Sequence, residues 1–172
     1  MRKLLPYAVL LLSLGWAQSA QAQFANKSIT ISPSYLSADK EVGFDGAFPL
    51  NLGGSIYLEG GFELYTQFPL ALIRENGGTQ LVFGWGNHTG VRYLFMEGSL
   101  FRPYVGLELA FLQVLGKAAT LTFAGPGAVM GFDYFVSDSI SLGLRGQTDL
   151  FISLDSVHMA YGGGLTLAIW FN

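Results

Sequence analysis

The sequence predicts an all-β fold: a single closed antiparallel transmembrane β-barrel of eight strands. Three observations predict it. Apolar residues recur with a period of two along most of the chain, the mark of a two-faced strand. The composition is 51% hydrophobic but only 12% charged, whereas a soluble domain carries about 25% charged residues. No apolar run after the first 22 positions is long enough for a membrane helix, so any crossing must be made by strands.

The chain has 172 residues and no Cys. Its length suits one domain, and the lack of Cys removes disulfides, thiolate chemistry and Cys-based metal sites. A net charge of −3 offers no electrostatic footprint for nucleic acid. The N-terminus reads as an address. Arg2 and Lys3 precede the apolar stretch 4–17, and Ala20-Gln21-Ala22 is an A-x-A cleavage site. Residues 1–22 are therefore a secretory signal peptide, cut between Ala22 and Gln23. A retained anchor would need about 20 apolar residues. The barrel is residues 23–172.

The elements follow in order. The first strand, 28–37, sets Ile29, Ile31 and Tyr35 against Thr30, Ser32 and Ser34. The second, 41–48, sets Val42, Phe44 and Phe48 against Gly43 and Asp45. The third, 55–68, is the clearest: Ile56, Leu58, Phe62, Leu64 and Phe68 oppose Glu59, Glu63 and Gln67. The fourth, 79–95, opposes Phe83, Trp85, Val91, Tyr93 and Phe95 to His88 and Arg92. The fifth, 101–115, opposes Val105, Leu107 and Leu109 to Arg102, Tyr104 and Glu108. The sixth, 122–136, opposes Met130, Phe132 and Tyr134 to Gly131 and Asp133. The seventh, 139–152, opposes Ile140, Leu142, Leu144 and Leu150 to Ser141, Arg145 and Asp149. The eighth, 157–171, opposes Met159, Tyr161, Leu165, Ile169 and Phe171 to His158 and Trp170. Loops at 38–40, 69–78, 116–121 and 153–156 fall at one end. Turns at 49–54, 96–100 and 137–138 fall at the other, with both termini.

A wholly apolar sheet face must meet another sheet or lipid. A soluble sandwich or lipocalin would turn that face inward. The signal peptide, long strands and even strand number favour turning it outward. In lipid every backbone polar group must be paired, so the sheet closes. Eight strands leave an interior just wide enough for side chains.

The stretch Arg102-Pro-Tyr-Val-Gly-Leu-Glu-Leu resembles the P-Y-x-G-x-G strand opening of small outer-membrane barrels. Gly131 to Gly143 resembles their G-x-D-Y-x-x-[ST]-x-x-x-S-L-G hairpin. The end, Leu165-x-Leu-x-Ile-x-Phe, resembles the signal read by the barrel-insertion machinery, although Asn172 follows the aromatic. On these motifs the chain resembles the OmpA/OmpX-like superfamily. The resemblance implies an outer-membrane location and assembly by the insertion machinery. A periplasmic peptidoglycan-binding domain is not expected.

By alternation Glu59, Glu63, Arg92, Glu108, Asp133, Arg145 and Asp149 point into the lumen, with His88 and Arg102 nearer its ends. They are read as a paired ionic core that fills the barrel rather than a filter. Tyr35, Phe44, Phe48, Phe68, Trp85, Tyr93, Phe95, Tyr134, Tyr161 and Phe171 are read as interfacial girdles. His88 and His158 are the only histidines. Joined to Thr89 or Ser156 and an interior carboxylate they could form a hydrolase, but no His-x-Ser spacing supports one. No catalytic residue, cofactor or metal is expected. Gly60-Gly61, Gly84 and Gly162 to Gly164 are read as clearance inside strands.

The resulting expectation is a non-enzymatic structural or surface-interaction protein. Its partners are outer-membrane lipid, lipopolysaccharide and an extracellular molecule at the apolar loop 69–78. A narrow, weakly cation-preferring porin-like channel is the second reading, and a lipid A-modifying enzyme the third.

Overall fold

The computed structural model describes residues 26–38, 44–75, 81–115, 120–152 and 156–172. The signal segment 1–22 and its cleavage point at Ala22 and Gln23 lie outside these residues. The eight strands are β1 (Lys27–Ala38), β2 (Phe44–Tyr57), β3 (Phe62–Glu75), β4 (Leu81–Leu94), β5 (Phe101–Leu115), β6 (Thr120–Ser137), β7 (Ile140–Ile152) and β8 (Val157–Phe171). Each pairs antiparallel with its neighbour in sequence, and β1 pairs with β8 to close the barrel. Closure runs from Lys27 opposite Phe171 to Ala38 opposite Ala160.

The outward face is apolar as the alternation requires. Leu107, Leu109 and Met130 are 68%, 69% and 66% exposed. A belt of this kind around every strand suits lipid and not water. Prolines inside strands remove backbone donors. Opposite Pro33 in β1, the Ser32 hydroxyl donates to the Leu165 carbonyl at 2.6 Å, which keeps that acceptor satisfied where the ladder is interrupted.

Two strand boundaries differ from expectation. The segment 49–54 is not a turn: it lies within β2 and pairs in register with β3. The turn falls at 58–61, through a short 3-10 segment at Glu59–Gly61. The third strand is therefore 62–75 rather than 55–68. The cause is parity. Even-numbered residues face outward on both sides of the turn, with Ile56, Leu58, Phe62 and Leu64 all exposed. A period of two cannot register a turn that preserves it. Gly60 and Gly61, expected inside a strand, have φ of +79° and +84°, the left-handed region that glycine enters freely.

The expected loop 69–78 is corrected for the same reason. Residues 69–75 belong to β3, where Leu70 and Leu72 face outward and Ile73 is fully buried in the lumen. Residues 76–78 lie outside those described. The apolar residues proposed as a docking loop are barrel wall and barrel core.

The lumen is filled in three levels. At the end holding the 39–43, 76–80, 116–119 and 153–155 connections, Leu36, Ile73, Leu112, Val114, Phe123 and Phe151 form an apolar plug. Charged and hydrogen-bonding groups occupy the middle. At the turn end Phe135 and Trp170 pack with ring centroids 5.3 Å apart.

Candidate functional site

The inward positions of β3 to β7 bring the charges together in two layers. In the layer nearer the turns, Glu63 and Arg92 are cross-strand partners. Arg92 Nε donates to Glu63 Oε2 at 2.9 Å and Nη2 to Oε1 at 3.0 Å. Nη2 also lies 3.0 Å from Asp133 Oδ2 as an ion pair without hydrogen-bond geometry. The Arg92 guanidinium covers the Tyr104 ring at 4.3 Å. Arg102 stands opposite Asp133 in register, lies over the Phe135 ring at 4.4 Å and donates to Ser99 O at 3.2 Å.

In the second layer Arg145 pairs with Glu108 Oε2. Tyr65 donates its hydroxyl to the same oxygen at 2.6 Å. His88 Nδ1 is 3.4 Å from Glu108 Oε1. Gln147 donates to Asp149 Oδ2 at 2.8 Å, and its Oε1 accepts from Arg145 Nε at 3.3 Å. Around β1, β2 and β8 the described side chains of the lumen wall include hydrogen-bonded polar pairs: Ser28 meets Ser55 at 2.7 Å, and Asn51 donates to Ser32 O and Ser34 Oγ at 2.9 Å each.

Eight of the nine expected lumen residues are inside, all buried: Glu63, His88, Arg92, Arg102, Glu108, Asp133, Arg145 and Asp149. Glu59 is the exception. It sits exposed in the 58–61 turn, because the strand that would have aimed it inward ends at Tyr57. Burying unpaired charge is costly, so this density of ion pairs is what permits the burial. Tyr65, Gln67, Tyr104 and Gln147 lie on the inward face by the same parity but were not expected as members of the lumen charge network.

Nine of the ten girdle residues face outward: Tyr35, Phe48, Phe68, Trp85, Tyr93, Phe95, Tyr134, Tyr161 and Phe171 are each at least 39% exposed. The Phe44 side chain lies outside those described. Phe68 is displaced from a girdle role: it stands mid-way along β3, opposite Leu52. The others form two belts. Tyr93 packs on Phe95 and Phe62 near the turn end, and Tyr35 packs on Phe48 near the other. Trp85 and Tyr93 are eight residues apart on β4. At ~3.3 Å per residue and a tilt of ~40° that is roughly 20 Å, close to the ~25 Å apolar band of such barrels.

The two histidines lie apart. His158, at the opposite end from the turns, has Nε2 2.5 Å from Ser156 Oγ and its ring edge-on to Phe123. Among the described residues no carboxylate accompanies this pair. Thr89 is a neighbour of His88 in sequence but points to the opposite face. There it hydrogen-bonds with Asn87 and Thr66 on the lipid side, at 2.7 and 2.9 Å. A shallow groove of about 740 Å³ also lies on the outer wall, over Gly146 and Gly163 and edged by Met130, Leu144 and Leu165. It is remote from the charged lumen in chemistry: its rim is apolar and it opens to lipid.

No protein-family model and no curated protein matches the chain. Solved structures do. The Neisserial surface protein A structure is 13% identical, covers 84% of this chain and 97% of its own, and superposes with a TM-score of 0.70. OprG from Pseudomonas aeruginosa is 11% identical over 87% of this chain and 96% of its own, with a TM-score of 0.53. Ail, the attachment invasion locus protein of Yersinia pestis, is 10% identical over 86% of this chain and all of its own, with a TM-score of 0.51. The likeness is one of fold: this chain is a closed eight-stranded antiparallel barrel of the OmpA/OmpX-like kind.

Proposed function

We propose that this chain is a sealed, non-enzymatic outer-membrane barrel with a structural or surface-interaction role, exported by a signal peptide cleaved after Ala22. The observation that carries the reading is the filled lumen. An apolar plug, two ion-paired layers and the Phe135–Trp170 pair occupy the axis in turn. The voids beside these charges hold about 10 Å³ each, roughly one water molecule. Such an interior supports a barrel whose work is done from its surfaces. Two neighbours point the same way by description: one is a surface protein and another belongs to an attachment invasion locus. With 69–75 inside β3, that stretch is not a docking loop for an outside partner.

The test is solute entry into liposomes carrying the folded chain. Swelling no faster than in empty liposomes supports the sealed barrel. Swelling that scales with protein, and changes in Glu63→Gln or Arg145→Gln, would select the pore. The enzyme reading is checked separately by the mass of lipid A from cells with and without the chain, where identical spectra are expected.

A further inference from the structure

The two charge layers of the lumen differ in balance. Near the turns, Glu63 and Asp133 face Arg92 and Arg102. In the next layer Glu108 and Asp149 share Arg145, with His88 between them. Among the described residues no second arginine or lysine joins that layer, and with His88 neutral its charged groups sum to −1.

The atoms there are arranged to accept a cation. Glu108 Oε2 is held by Tyr65 and Arg145, which leaves Oε1 facing His88. Asp149 Oδ2 is held by Gln147, while Oδ1 is fully buried with no hydrogen-bond partner. An unpartnered buried carboxylate oxygen is unfavourable. His88 Nδ1 has an acceptor, Glu108, and a donor, Gln147, both at 3.4 Å. Both contacts exceed the ordinary hydrogen-bond range. One donor atom from each of His88, Glu108 and Asp149 lies within 4.8 Å of the other two.

We propose that His88, Glu108 and Asp149 form a binding site for a divalent transition-metal ion inside the barrel. One imidazole nitrogen with two carboxylate oxygens is a donor set for zinc, manganese or ferrous iron. Tyr65, Arg145 and Gln147 are the groups that orient the ligands, as a working metal site requires. A tetrahedral ion at ~2.1 Å from its ligands places them roughly 3.4 Å apart. From a separation of at most 4.8 Å the ligand atoms would close by no more than about 1.4 Å on binding. The small void bordered by His88 and Gln147 has room for about one water on the imidazole side of the site. The apolar plug covers one side and the Arg92 layer the other, so the ion is captured as the barrel folds and exchanges slowly. The site is independent of the structural role proposed above.

The chain is extracted from membranes in chelator-free detergent and assayed for zinc, manganese and iron. It is then unfolded with chelator and refolded with one equivalent of Co²⁺ or Zn²⁺. The proposal expects about one ion per folded wild-type chain and a cobalt spectrum of nitrogen and oxygen ligation. Affinity falls at least tenfold in His88→Gln and in Asp149→Asn and is unchanged in His158→Gln. A folded wild type that binds neither ion overturns it. So does binding that survives in both His88→Gln and Asp149→Asn, or that depends on His158 instead. If those variants fail to give the heat-modifiable folded band, the cobalt spectrum of the wild type decides alone, since a spectrum without nitrogen ligation also overturns the site.

Discussion

Glu63 and Arg92 face one another across the β3–β4 ladder and meet through both carboxylate oxygens, at 2.9 and 3.0 Å, with both groups buried. Two adjacent strands of a hairpin thus close the lumen by their own register. Arg92 then extends past β5 to Asp133 on β6, which ties next-but-one strands together across the lumen. A bidentate arginine–carboxylate pair fixes geometry more strictly than a lysine could.

Removing one partner leaves a buried charge uncompensated. Glu63→Ala should lower unfolding stability in urea by ~3–5 kcal/mol. Because Arg92 also pairs with Asp133, the triple variant Glu63→Met, Arg92→Met and Asp133→Asn should recover most of that loss. Equal losses in the single and triple variants would show that the three groups are not coupled.

The 58–61 turn can be checked by backbone chemistry. Gly61 has φ +84°, and a Cβ there would meet Glu97 Oε1 and the Tyr93 ring, both at 2.8 Å. Gly60 has φ +79° with nothing within 4 Å. Gly61→Val should cost ~2 kcal/mol or more, from strain and contact together. Gly60→Asn should cost well under ~1 kcal/mol, because Asn enters the left-handed region readily. Similar costs at both positions in urea titrations would contradict this turn.

Insertion maps the corrected third strand. A short epitope placed after Gly77, beyond the end of β3 at Glu75, should leave the heat-modifiable folded form. The same epitope after Leu70 should abolish folding, because it breaks pairing to both β2 and β4. A folded barrel with the tag after Leu70 would restore the loop.

On the lipid side Thr66, Asn87 and Thr89 satisfy one another: Asn87 donates to Thr66 at 3.0 Å, and Thr89 donates to Asn87 at 2.7 Å. Thr66→Val alone should cost about 1 kcal/mol. Replacing all three with Val, Leu and Val should be neutral or stabilising, since no polar group is left stranded. Unfolding of both variants in one detergent gives the comparison. A triple variant weaker than the single would show that the triad makes contacts beyond itself.

The sequence made the two faces of each strand readable, because parity alone decides them. Ile29, Trp85, Leu107, Met130 and Leu165 all point outward as expected. Parity could not locate the β2–β3 turn, which carries outward even positions straight through Leu58 and Phe62. The misplaced Glu59 and the misread loop 69–75 share that single cause. Ion-pair partners were a different matter. Glu63 and Arg92 follow from hairpin register once the turn is known. The Tyr65–Glu108 bond spans β3 to β5, so it depends on barrel curvature, which no local pattern encodes. Phe151 shares the inward parity of Arg145 and Asp149 and was readable as lumen. Ile73 was not, because it lay inside the assumed loop.

The central claim is that the lumen is sealed. Planar-bilayer recording of the chain, taken from the heat-modifiable folded band, tests it most directly. The account predicts a silent membrane at every applied voltage the bilayer tolerates. Discrete, reproducible conductance steps from the folded wild type would contradict it and would turn the Glu63–Arg92 and Glu108–Arg145 layers from a core into a filter.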